Sequence, residues 1–172
     1  MKIYLIGYTG CGKSTLGKRI SKKINFNFVD TDNYIESKFD DSIFNIFRNK
    51  GEIFFRNLEF ITFKELQSKK EIIISTGAGF PVNSNLIDKM NNSGITIFLK
   101  KNIEVLSECL WLFRKKRTRI STFKSFNSFD KFIKYDYELR ESIYMKADYI
   151  FNLDEMSNKS ILENICKIIN ND

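Results

Sequence analysis

A glycine loop close to the N-terminus constrains this chain more than any other feature. Gly7-Tyr8-Thr9-Gly10-Cys11-Gly12-Lys13-Ser14-Thr15 fits the pattern G-x-x-x-x-G-K-[ST]. Ahead of it runs Ile3-Tyr4-Leu5-Ile6, a short apolar stretch that reads as a buried strand. After it, from Ser14 to about Ile24, Leu16, Ile20 and Ile24 recur at helical spacing with Lys18, Arg19, Lys22 and Lys23 outside. Strand, glycine turn and helix make a phosphate site for a physical reason. The glycines let the backbone curl until successive N–H groups point at one centre, and the helix adds its positive N-terminal end. Gly10, Cys11, Gly12, Lys13, Ser14 and Thr15 are therefore the expected nucleotide-binding run. Lys13 supplies a point charge for the β- and γ-phosphates, and Ser14 offers a hydroxyl to Mg²⁺. Cys11 reads as loop filler rather than as a reactive thiol.

The rest of the chain keeps the alternation. Phe26 to Val29 reads as a second strand ending at Asp30, Glu71 to Ser75 as a third, Ile95 to Leu99 as a fourth and Tyr149 to Phe151 as a fifth. Between them lie helical stretches: one opened by the capping pair Asp41-Ser42, a longer one over Glu52 to Lys70, then Asn83 to Asn91, Ile103 to Phe113, Asp130 to Lys146 and Ser157 to Asn170. Strands alternating with helices predict an α/β three-layer sandwich around a five-stranded parallel sheet. No repeat or linker is visible, so residues 1–172 read as one domain.

Composition removes several chemistries. There is no His, which excludes a Ser-His-Asp triad, an imidazole base and a His-liganded zinc. Cys11, Cys109 and Cys166 form no CxxC pair, so neither a zinc ribbon nor a disulfide framework is supported and a reducing cytosol fits. The apolar stretch before Gly7 is too short for a signal peptide, and no window reaches the ~18 apolar residues of a membrane span. The expectation is a cytoplasmic protein with no membrane partner. Net charge +7 favours anionic ligands without choosing among them.

What accepts a phosphoryl group is written after the second strand. Asp30-Thr31-Asp32 stands at a strand's carboxyl end, where a parallel sheet gathers its ligands. One carboxylate can join the Mg²⁺ shell while the other accepts a proton from a substrate hydroxyl, although Asp32 could equally cap a helix beginning near Asn33. Arg56 and Glu59 fall at i, i+3 on one helical face, so Glu59 can hold the guanidinium toward a carboxylate or phosphate; a plain surface ion pair is the other reading. Gly77-Ala78-Gly79 at the end of the third strand allows close approach of a ligand to the backbone, or is simply a turn.

Taken in order, these residues resemble the shikimate kinases, of the nucleoside-monophosphate-kinase-like P-loop group. The resemblance is carried along nearly the whole chain by the glycine loop, by Asp30-x-Asp32 followed by Tyr34-Ile35-Glu36, by Gly51-Glu52-x-x-Phe55-Arg56-x-x-Glu59, by Ser75-Thr76-Gly77-Ala78-Gly79, and by Leu139-Arg140-x-x-x-Tyr144-x-x-Ala147. It implies a P-loop kinase fold and ATP-dependent phosphorylation of the 3-hydroxyl of shikimate, in chorismate and aromatic amino-acid biosynthesis. It also implies a shikimate site at Asp32, Arg56, Arg140 and the backbone of Gly77, Ala78 and Gly79, with Glu59 in support. Asp30 and Ser14 would hold Mg²⁺, Asp32 would be the base or orienter, and the substrate-binding helices would span about residues 32–70.

Two stretches depart from the family pattern. Ala78 replaces the usual middle glycine, which a negative φ would accommodate. The basic segment 114–127 stands where the family has its lid; Arg117 is the chosen lid arginine and catalytic partner for ATP phosphates, with Arg114 and Arg119 as alternatives. Leu110-Trp111-Leu112 occupies the stretch where an adenine-stacking arginine is usual.

Two other functions compete. One is a kinase of the same scaffold for gluconate or a nucleoside monophosphate, since a phosphate would also suit two arginines. The other is a nucleotide-dependent binding protein; against a nucleic-acid partner, the basic residues are spread along the chain without an aromatic-interleaved motif. A monomer is expected, because no long apolar edge or heptad pattern appears.

Overall fold

The computed structural model describes residues 1–114 and 120–171. Its centre is five parallel strands: β1 (Lys2–Ile6), β2 (Asn27–Asp30), β3 (Ile72–Ser75), β4 (Ile95–Lys100) and β5 (Tyr149–Asn152), in the order β2-β3-β1-β4-β5. Ile3, Leu5, Ile6, Ile73, Ile74, Ile97 and Phe98 are fully buried. Strands covered on both faces need apolar residues at successive positions, which is why these segments show no polar alternation.

Helices α1 (Lys13–Ile24), α2 (Thr31–Phe39), α3 (Ile43–Leu66), α4 (Leu86–Asn91), α5 (Ile103–Phe113), α6 (Phe126–Tyr144) and α7 (Asn158–Asn171) flank the sheet. The α/β architecture with a parallel five-stranded sheet is as the alternation predicts. α3 is broken at Gly51, whose φ of 82° and ψ of 172° leave the helical region, so its two parts match the two expected helices. A second, smaller core of Ile35, Ile46, Phe55 and Leu58 packs α2 against α3. These helices therefore carry their own apolar support and present a stiff platform beside the sheet.

Among the boundaries that differ from expectation, four bear on the site. The long helix ends at Leu66 rather than Lys70, with Gln67 N–H donating back to Lys64 O over 3.2 Å. The stretch expected as helix over 83–91 begins as a 3₁₀ turn, Asn83–Asn85, because Ser84 and Asn85 take φ of 48° and 54°, outside the right-handed helix; the Asn83 side-chain amide donates to Arg56 O at 2.6 Å. α6 begins at Phe126, not Asp130: Ser125 caps it, accepting from Ser128 N–H, and Phe126 and Phe129 stack against Trp111. The last two residues of the expected lid thus belong to a helix. Finally α2 starts at Thr31 with Asp30 as its cap, accepting from the N–H groups of Asp32 at 3.1 Å and Asn33 at 3.4 Å. The capping alternative at Asp32 is therefore corrected; the neighbouring carboxylate does that work and leaves Asp32 free to point elsewhere.

Candidate active site

Parallel strands deliver their carboxyl ends to one edge, and every element of the site leaves from there. β1 runs into the glycine loop, where Gly7, Gly10 and Gly12 have φ of 140°, 86° and 98°. At Gly7 a side chain is excluded twice over, since a Cβ would also stand 2.8 Å from Leu99 O. Lys13 curls back over this loop: its Nζ donates to Gly7 O and Tyr8 O, both at 2.8 Å, and approaches Cys11 Sγ at 3.7 Å.

Ser14 is tied to the adjoining strands. Its hydroxyl donates to Asp30 Oδ2 over 2.5 Å and stands 3.2 Å from Ser75 Oγ. Asp30 and Ser75 are partners in the β2–β3 register, so the sheet itself sets this group of hard oxygens. Such a set fits Mg²⁺, which keeps several waters and takes one or two protein oxygens plus substrate phosphates. Among the described residues no group of three Asp, Glu or Cys side chains gathers as a metal cage.

Two cavities open on this edge. One, of about 300 Å³, is lined by Thr9, Gly10, Gly12, Lys13, Ser14 and Thr15 of the loop together with Asp30, Asp32 and Thr76 to Ala78. Cys11 of the expected run does not line it; the Cys11 side chain is buried in the main core. The other, of about 440 Å³, gathers Asp32, Arg56, Glu59, Gly77, Ala78, Gly79 and Arg140 from four separate segments, under an apolar wall of Phe44, Phe47, Phe55 and Phe132. Thr9, Asp32, Gly77 and Ala78 line both, and Asp32 is the one carboxylate among them.

The two guanidiniums of the larger cavity are individually braced. Arg56 donates from Nη1 to Glu59 Oε2 and from Nη2 to Glu52 Oε1, each at 2.8 Å, and its guanidinium lies 5.6 Å from the Phe55 ring centroid. This is no surface pair, since Glu59 is 1% exposed. Burial pushes the Glu59 carboxyl up to about 7, with the Arg56 charge pulling the other way. Arg140 donates to Asp136 Oδ1 at 2.9 Å. Tyr144, on the same helix, donates from its hydroxyl to Ala78 O at 2.7 Å and so ties α6 to the Gly-Ala-Gly turn.

Asp32 stands against that turn, and among the described residues its side chain has no hydrogen-bond partner. Burial, and then the neighbouring charge of Asp30, push its carboxyl up to about 6, while Lys13 works in the opposite direction. Gly77 N–H donates to Thr31 Oγ1 at 2.9 Å, which fixes the turn beside Asp32. Neither Gly77 nor Gly79 has a positive φ; they are glycines for space, since a Cβ on Gly79 would meet the Arg56 guanidinium. Ala78 likewise has no positive φ, so the methyl is accommodated as expected.

Of the lid candidates, Arg117 and Arg119 lie outside the described residues. Arg114 is committed elsewhere: its guanidinium stacks 3.4 Å from the Trp111 ring centroid, and Nη1 donates to Trp111 O at 2.8 Å. Ile120, next along, is buried and lines the larger cavity. Tyr8, Glu52, Asn83 and Asp136 are structural partners of the site that sequence reasoning did not single out. Glu52 and Asp136 carried a local signal, their i, i+4 spacing to Arg56 and Arg140.

Comparison with known proteins agrees with this geometry. The family model described as shikimate kinase matches residues 9–170. The shikimate kinase of Azobacteroides pseudotrichonymphae is 38% identical over 165 residues, covering 95% of this chain and 96% of that protein. The crystal structure of shikimate kinase from Bacteroides thetaiotaomicron superposes with a TM-score of 0.90 at 34% identity, covering 99% of this chain and 98% of that one. Shikimate kinase from Acinetobacter baumannii, solved in complex with shikimate, gives a TM-score of 0.84 at 25% identity over 98% of this chain and 92% of its own.

Proposed function

The chain belongs to the shikimate kinase family, and from that premise we propose that it phosphorylates the 3-hydroxyl of shikimate with ATP through the residues of its two adjoining cavities. The single observation that carries the assignment of roles is that Asp32 lines both the phosphate cavity and the acid cavity. A phosphoryl group passing from one ligand to the other must cross that boundary.

The division of labour follows from the chemistry. Shikimate has one carboxylate and three hydroxyls, and the larger cavity has two guanidiniums, the carboxylate of Asp32 and an apolar wall. Arg56 and Arg140 hold the carboxylate of the acid, with Glu59 and Asp136 orienting them. Asp32 accepts a hydrogen bond from the 3-hydroxyl. With its carboxyl at about 6 it is mostly ionised at neutral pH and can take the proton as the oxygen attacks the γ-phosphorus and the bond to ADP breaks. Lys13 and the N–H groups of Gly10 to Thr15 hold the phosphates. Ser14 and Asp30 would hold Mg²⁺, which when bound neutralises phosphate charge. Of the lid, Arg117 is the arginine assigned to ATP, since Arg114 is stacked on Trp111. No step asks for an imidazole, in keeping with a chain that has none.

On the same reading the enzyme works in the cytoplasm, as a monomer and without nucleic acid; none of the described helices is long and apolar enough to cross a membrane. The test is ADP release with ATP and a panel of acceptors: shikimate, gluconate and nucleoside monophosphates. Turnover confined to shikimate is expected. Turnover of a nucleotide in its place would move the chain to another kinase activity.

A further inference from the structure

We propose that Tyr8 and Asp136 are positioning residues for Arg140, so that a side chain of the phosphate loop sets how tightly the acid substrate is held. The inference rests on the reading of Arg140 as a carboxylate ligand.

Asp136 and Arg140 are one turn apart on α6, and both side chains are largely covered, at 13% and 11% exposure. The two oxygens of Asp136 have separate duties. Oδ1 accepts from Arg140 Nη2 at 2.9 Å, and Oδ2 accepts from the Tyr8 hydroxyl at 2.7 Å. The Tyr8 bond fixes the plane of the carboxylate, and the carboxylate fixes the guanidinium. The same ring stands under the charge it positions, 5.8 Å from its centroid to Arg140 Cζ.

Tyr8 is itself immobilised. It is 3% exposed, and the Tyr137 ring packs edge-on against it at 5.5 Å. Its carbonyl accepts from Lys13 Nζ at 2.8 Å and from Cys11 N–H at 3.4 Å. Burial drives its phenol far above the ordinary range, so it stays a donor throughout the working pH range. An arginine has many rotamers of similar energy, and one held by a charge-assisted bond loses less freedom when its ligand arrives. Arg56 gets that restraint from Glu52 and Glu59 on its own helix. Arg140 gets part of its restraint across 128 residues of sequence, from the loop that holds ATP.

The test is steady-state kinetics of Tyr8→Phe and Asp136→Asn, paired with crystal structures of both variants without ligands. Each substitution should raise KM for shikimate about tenfold, the effect of one hydrogen bond to a charged group, while KM for ATP moves less than about twofold and kcat less than about threefold. The crystals should show the Arg140 guanidinium displaced. Unchanged KM for shikimate, or an equal rise for both substrates, would overturn the inference. So would an Arg140 still in its native place in Asp136→Asn, and that readout holds whichever acid the enzyme uses. Wild-type enzyme that fails to turn over shikimate counts against the proposed function, and the crystals still decide the role of Tyr8 and Asp136.

Discussion

The Asp32 carboxylate lies directly on the α-carbon of Gly77: a Cβ on residue 77 would meet Asp32 Oδ1, with Cγ and Oδ2 at 3.2 and 3.3 Å. The glycine turn and the candidate base are therefore one fitted unit. Gly77→Ala has no backbone conflict, because φ there is not positive, so the variant should fold. It must however push Asp32 aside. A displacement of about 1 Å in a positioned group costs on the order of a hundredfold, so kcat should fall about 10²-fold with circular dichroism unchanged. Wild-type kcat in this variant would show that the position of Asp32 does not matter.

Asp32 also predicts a pH dependence. As the proposed base it must be ionised, so kcat/KM should fall as pH drops through about 6. Asp32→Asn should remove that limb and lower kcat by about 10²–10⁴-fold, the usual worth of a general base, with ATP still bound.

The same group should leave a mark on stability. The folded carboxyl titrates near 6 against an ordinary 3.8, so between those values the folded chain binds the proton that the unfolded chain releases. The stability tied to Asp32 is thus fully present below pH 4 and is lost as pH rises through 6. Urea denaturation at pH 8 should find Asp32→Asn more stable than wild type by about 1–2 kcal/mol, and at pH 4 should find the gap closed. A destabilised variant at pH 8 would contradict the buried placement of this carboxylate beside Asp30.

Lys13→Ala separates binding from chemistry. The ammonium is already engaged with Gly7 O, Tyr8 O and Cys11 Sγ, so a phosphate must displace at least one of these contacts. Loss of a charge aimed at the transferring group should reduce kcat by about 10²–10³-fold. Near-normal turnover would remove the loop from the mechanism.

Arg140→Ala should act on the acid and not on the nucleotide. A rise in KM for shikimate of about thirtyfold or more is expected, because a buried charged contact is lost and Asp136 is left without its guanidinium. KM for ATP should change less than about threefold. Equal effects on both substrates would count against a carboxylate clamp.

What could be read from the chain, and what could not, divides by distance along it. The glycine loop, the Arg56–Glu59 pair and the five strands are local patterns, and periodicity or fixed spacing reveals them. Where strands end is also local, so the carboxyl-edge placement of Asp30 and Ser75 follows once the sheet is parallel. The Tyr8–Asp136 bond spans 128 residues and Thr31 to Gly77 spans 46, and neither leaves a periodic trace. Asp30 as the cap of α2 was hidden by the rival carboxylate two residues on. The start of α6 at Phe126 has one local signal, the Ser125 cap, among several Ser and Thr residues of a basic stretch; what selects it is the Trp111–Phe129 packing, a tertiary contact that helical periodicity does not record.

The central claim is that one aspartate at the joint of two cavities presents a small acid's hydroxyl to ATP. A crystal structure with shikimate and MgADP tests it most directly. The shikimate carboxylate should lie between Arg56 and Arg140 and the 3-hydroxyl on Asp32, facing the loop of Lys13. Shikimate bound with its carboxylate away from both arginines, or with the 3-hydroxyl turned from Asp32, would contradict it.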